Sequence, residues 1–169
     1  MYNGLLHLHN LLRWVILVLI IIAIFRHLAG MNSKRPVNAG DKKIDLFLMI
    51  AAHITLLIGL YQWFAGDFGL KMIQAAGMGE VMKNGAVRKL AIEHPVGMII
   101  AIVLITVGRG AVKRATSPAV HKKAFWCFLI ALMVMLATIP GQGRCSPACN
   151  KNAYPLKRIR SSWKGRPFF

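Results

Sequence analysis

The sequence predicts an all-α membrane protein, a four-helix up-down-up-down bundle, and three observations predict it. The chain has 169 residues, of which 56% are hydrophobic, with a mean hydropathy of +0.53, too apolar for a soluble domain of this size. Its apolar residues fall into four long blocks. Apart from Arg13, its 22 Lys and Arg residues lie between or after those blocks.

The blocks run over 5–25, 44–64, 91–107 and 124–139, containing 21, 21, 17 and 16 residues. A helix rises about 1.5 Å per residue and must cross roughly 30 Å of hydrocarbon, so the first two blocks are long enough unaided. The third and fourth are shorter. They are flanked by Arg88, Lys89 and Arg109, and by Lys122 and Lys123, whose long stems extend a span by snorkelling. The first block lacks a basic leader and a small-residue cleavage site before Arg26, so it is read as a retained helix and not as a signal peptide.

Gly30, Pro36, Gly40, Gly66, Gly69 and Pro118 punctuate the connections. In the second connection, KMIQAAGMGEVMKNG, the apolar residues Met72, Ile73, Ala76, Val81 and Met82 predict a short amphipathic helix on the surface. Residues 1–140 are thus expected to form one transmembrane domain. Residues 141–169, basic and without helical or strand period, read as an irregular tail.

A net charge of +17 would suggest nucleic acid in a soluble protein, but here the placement of the charge points to lipid. Five Lys and Arg residues lie in 26–43 and five in 109–123, against four in 67–89, a connection that also holds Asp67 and Glu80. The positive-inside tendency then puts the first and third connections in the cytoplasm and both termini outside. The seven basic residues after Pro140 run against this orientation.

Six histidines occur in the chain, and imidazole is both a metal ligand and a group that needs a partner when buried. His9 lies about 6 Å inside the outer end of the first block and His94 about 5 Å inside that of the third, so the two are level. His53 sits near the middle of the second block. His7 points about 200° away from His9 around a helix and cannot face the same centre. Arg13 shares the His9 face, which continues through Ile16, Leu17 and Ile20, and its guanidinium is placed to meet an anion such as a propionate, a lipid phosphate or Glu93. His27 and His121, beside Arg26, Lys122 and Lys123, read as interfacial residues. Pro95 next to His94 predicts a kink if the third helix begins before it. Trp14, Tyr61, Trp63 and Trp126 fit an aromatic belt. Cys127 reads as an apolar filler, and Cys145 and Cys149 receive no role.

The stretches LHLHNLLRW, AAHITLLIGLYQWF, AIEHPVGMIIAIVLITVGR and HKKAFWCFLIALMVMLATIP, in this order over residues 1–140, resemble a small family of bacterial four-helix membrane proteins named cytochrome B. A more remote similarity is to the cytochrome b561 type, also built on helix-borne histidines. The resemblance implies an electron carrier of the respiratory membrane that holds haem b, with ligands among His9, His94 and His53. His9 and His94 would bind the iron, His53 is the alternative ligand, and Arg13 would face the propionates. Two axial imidazoles leave iron no open position, which suits electron transfer over oxygen chemistry. A quinone or a larger respiratory complex would be the partner, and the chain would act as a carrier or subunit, open to oligomerisation, more than as a stand-alone enzyme.

The alternative is a cofactor-free structural or assembly subunit of a membrane complex, consistent with the many small and Met residues. Hydrolysis is disfavoured because Asp41, Asp45, Asp67, Glu80 and Glu93 lie at helix edges or in connections, and none joins a histidine and a nucleophile in one local motif. Transport is disfavoured because only His53 and Thr55 bring polarity to mid-depth.

Overall fold

A computed structural model of the chain describes residues 2–66, 69–114 and 117–139. The elements in chain order are α1 (Tyr2–Asn32), α2 (Ala39–Ala65), α3 (Leu70–Ala76), α4 (Met78–Lys83), α5 (Gly85–Arg88), a π-helical turn (Lys89–Glu93), α6 (His94–Arg114) and α7 (Val120–Thr138). No strand occurs among the described residues, and four helices are long and apolar enough to cross a membrane. The protein is a multi-pass membrane bundle. The tail, with Cys145 and Cys149, lies outside the described residues.

Each long helix extends beyond its apolar block. Helix α1 has 31 residues, about 46 Å at the helical rise, so its polar ends reach past the hydrocarbon or the helix tilts. The four pack in a ring: α1 against α2 and α7, and α6 against the same two, so α1 and α6 face each other diagonally. Ile16, Ile20 and Ala23 of α1, Leu48 and Ala52 of α2, Ala101 and Ile105 of α6, and Phe128 and Ala131 of α7 meet in the core. In lipid, packing and close approach hold helices together, which the small residues in this set allow. Leu11, Phe25, Leu57 and Met133 are all more than 60% exposed and form part of the lipid-facing surface.

Connections set the two ends. Helix α1 closes in a Schellman motif: the Arg35 amide donates to the Gly30 carbonyl (3.2 Å) and the Lys34 amide to that of Met31 (3.4 Å), with Lys34 left-handed at φ 50. Asn38 then caps α2 in a capping box, its side chain accepting from the Asp41 amide (2.9 Å) while the Asp41 carboxylate accepts from the Asn38 amide (3.2 Å).

At the other end the amphipathic segment is two short helices, separated at Gly77 (φ +80), that turn Met72 and Val81 inward and leave Met78 and Met82 exposed. The third span does begin before Pro95, and the helix accommodates the proline through the π turn. Proline has no N–H to give the carbonyl four residues back. That carbonyl, of Ala91, instead accepts from the Trp63 indole at 2.8 Å. Trp63 therefore has a specific partner beyond an aromatic belt.

Candidate functional site

Polar side chains inside the bundle gather at its two ends. At the end formed by the start of α1 and α6 and the close of α2 and α7, His9 and His94 meet across the diagonal. Their ring centres are 6.5 Å apart and their planes are inclined at 74°. Level depth on opposite helices, read from spacing alone, brings these two together.

Local structure explains how. Gly59 of α2 lies under the His9 ring, where a Cβ would come within 3.3 Å of Cε1. Gly97, one turn after His94, lies so close to Thr138 that a Cβ would collide with that side chain. This approach delivers the carbonyl of Thr138, the last residue of α7, to His94 Nδ1 at 3.2 Å. A carbonyl at a helix end has no helical donor, so the imidazole supplies one and its Nδ1 carries the hydrogen. His94 Nε2 is left as a lone pair. His9 Nδ1 is buried without a hydrogen-bond partner, as is Nε2 of Gln62, one turn beyond Gly59.

Arg13 interacts electrostatically with both imidazoles and stacks over its neighbour Trp14, 5.5 Å from the ring centre. It does not pair with Glu93, whose carboxylate is taken by Arg88 at 2.7 Å. His53 stands apart from the pair. It is exposed on the α2–α6 flank, with Nδ1 donating to the Met49 carbonyl at 2.8 Å, and lines a shallow groove of about 300 Å³ with Leu56, Ile99 and Thr106.

The opposite end corrects an expectation. His27 and His121 are not interfacial: both are fully buried, with their Nδ1 atoms 2.9 Å apart. His27 Nε2 is 3.2 Å from each oxygen of Asp45, which is also buried. Gly30, one turn beyond His27, makes room for the His121 ring, and Phe128 packs beside His27 with 5.5 Å between ring centres. Above them Asp41 binds Arg26 at 2.9 Å and, through both oxygens, Arg35 at 2.7 and 3.0 Å. The hydrogen bond from Arg35 to Asp41 holds the Arg35 guanidinium proton more firmly than in a free arginine.

Sequence reasoning missed this cluster. A signal was present, since Arg26, His27, Asp41, Asp45, Arg109 and His121 all map to one end of an up-down bundle, but their pairing depends on helix rotation.

Among the described residues no three His, Cys, Asp or Glu side chains converge as a bare metal ion requires. Two imidazoles do suffice for an iron already held in a macrocycle. One nitrogen of His94 is oriented by a carbonyl, as metal-bound histidines usually are, and His9 has a nitrogen in want of a partner. His9 and His94 are thus the residues that could hold such an iron. A comparison of the chain with family models, curated proteins and solved structures returned no match.

Proposed function

We propose that the protein is a membrane electron-transfer protein of the cytochrome b kind, holding haem b between His9 and His94. The observation that carries this reading is the meeting of two half-buried imidazoles across the bundle, one of them with its Nδ1 hydrogen directed to a main-chain carbonyl. A haem held by these two residues would supply one-electron transfer.

The chain's own residues have separable parts in this. The Thr138 carbonyl fixes the His94 tautomer, leaving Nε2 as the nitrogen that would hold the group. Arg13 supplies positive charge for the carboxylates of the group. The ring of apolar helices limits water, which raises the influence of that charge. Basic residues flanking the His27–His121 end, among them Lys34, Lys42, Lys113 and Lys122, support a cytoplasmic position for that end of a bacterial inner-membrane protein, with the His9–His94 end outside. A quinol or a respiratory complex on that outer side is the electron donor we infer.

One observation favours a second reading, a cofactor-free subunit of a larger complex: the His9 and His94 rings already stand as an inclined pair with 6.5 Å between centres, and Gly59 closes against His9. A reduced-minus-oxidised visible spectrum of the purified full chain, from cells supplied with haem precursor, separates the two. We expect a b-type signal near one haem per chain, lost in His9→Ala and His94→Ala and kept in His53→Ala. A folded protein with no such absorbance would leave the subunit reading in possession.

A further inference from the structure

The Asp45–His27–His121 chain is not used by the haem reading, and with Asp45 ionised and both rings neutral its contacts admit one proton arrangement. A carboxylate only accepts, so His27 Nε2 bears hydrogen and donates to Asp45 at 3.2 Å. A neutral imidazole has a single N–H, so His27 Nδ1 is an acceptor and the 2.9 Å contact demands the hydrogen on His121 Nδ1. These tautomers follow from the hydrogen-bond network. What remains is His121 Nε2, a buried lone pair without a hydrogen-bond partner.

The same contacts serve equally with one more proton. A proton arriving at His121 Nε2 releases the one on His121 Nδ1 across the 2.9 Å gap to His27 Nδ1. His27 becomes an imidazolium beside the Asp45 carboxylate. One proton enters, none leaves, no electron moves and the carboxylate stays ionised.

We propose that Asp45, His27 and His121 form a one-proton acceptor site inside the bundle, filled through His121 Nε2 and storing its charge on His27 against Asp45. The driving force is Asp45 itself. Its side chain is 1% exposed, and among the described residues His27 is its one hydrogen-bonding partner. An unpaired carboxylate in such a place is costly, and a proton on the histidine pair supplies the missing counter-charge. Among the described residues none of the other cations at this end pairs with Asp45. Arg26 of α1 and Arg35 of the connection are bound to Asp41 of α2, Lys122 and Lys123 of α7 are exposed, and Arg109 of α6 has two buried nitrogens with no partner.

The proton donor is water on the side of the first connection. A Cβ on Gly30 would lie 2.7 Å from His121 Nε2, and the Arg35 main chain interacts with the same ring, so the Schellman turn covers the inlet.

The test is a pH titration of the haem-free full chain, labelled with ¹⁵N-histidine, in lipid nanodiscs, with His27→Gln and His121→Gln spectra for assignment. His27 and His121 should titrate together at one midpoint, binding one proton between them, and Asp45→Asn should lower that midpoint by about one pH unit or more. Separate midpoints, no change in either ring between pH 5 and 9, or an unmoved midpoint in Asp45→Asn would each overturn the proposal. If that variant does not fold, the ¹³C carboxyl shift of Asp45 in the unsubstituted chain decides: a carboxyl that takes the proton itself refutes the relay. Repeating the titration in a His9→Ala, His94→Ala background keeps this outcome independent of the haem reading.

Discussion

Replacing Gly30 with alanine isolates what the buried histidine pair contributes to stability. The added Cβ would lie 2.6 Å from His121 Cε1, 2.7 Å from Nε2 and 2.8 Å from Cδ2. Carbon atoms pack comfortably at about 3.5–4.0 Å, so the ring must withdraw by roughly 1 Å. A terminal ring often moves cheaply, but this one is fully buried and tied to His27, which is itself fixed by Asp45 and Phe128. Withdrawal stretches the 2.9 Å hydrogen bond beyond useful range. Overpacking costs about 1–3 kcal/mol and an orphaned buried donor about 1–3 kcal/mol, offset by up to about 1 kcal/mol for Gly→Ala in a helix. The expected net loss is about 3 kcal/mol, or roughly 6–12 °C in unfolding midpoint. Gly110→Ala is the control, because a Cβ there meets nothing within 4 Å and should gain up to about 1 kcal/mol. The assay is thermal unfolding of both variants in the same detergent. A Gly30→Ala protein as stable as Gly110→Ala would refute the reasoning, because it would mean that His121 is free to move.

Three other outcomes can be checked in the same way. Trp63→Phe leaves the Ala91 carbonyl without its donor and should cost about 1–3 kcal/mol, most of it recovered by adding Pro95→Ala, which restores an N–H to that carbonyl; a double-mutant cycle with no coupling would dismiss the pairing. Lys34→Gly relieves a left-handed backbone in the Schellman turn and should raise stability by about 1 kcal/mol in chemical denaturation, whereas a loss would show that Lys34 contributes more by its side chain. Gly97→Ala should push Thr138 off His94 and release its tautomer, seen as a mixed Nδ1–H and Nε2–H population in ¹⁵N-histidine spectra; a single Nδ1–H form would mean that the carbonyl is not the orienting group.

The bundle was legible because long apolar runs in lipid have few alternatives to helices. The alternation of direction that follows was enough to put His9 and His94 at one depth. Rotation about each helix axis was not legible. His53 is as deep in the sequence pattern as a core residue, yet it turns to the flank, because Leu48 and Ala52 take the inward face of α2. His27 and His121 sit beside basic residues and resemble interfacial side chains, yet Gly30 and Asp45 draw them inside. Amphipathic period, the usual guide to rotation, fails when the outer face is as apolar as the core.

Both ends leave buried nitrogens unpaired, His9 Nδ1 and Gln62 Nε2 at one and His121 Nε2 with two of Arg109 at the other, but they differ in where their carboxylates go. At the His27–His121 end both carboxylates in the first turns of α2 are occupied, Asp41 by two arginines and Asp45 by His27. At the His9–His94 end no carboxylate reaches the imidazoles, and both His9 and Gln62 keep a buried nitrogen unpaired. Each such atom costs about 1–3 kcal/mol in a packed interior. A bundle selected for stability alone would have replaced His9 with a leucine, as at its neighbours Leu8 and Leu12, and Gln62 with another apolar residue. Under the haem reading proposed above, a group held by the two imidazoles would return that cost, with Arg13 supplying charge for its anionic substituents.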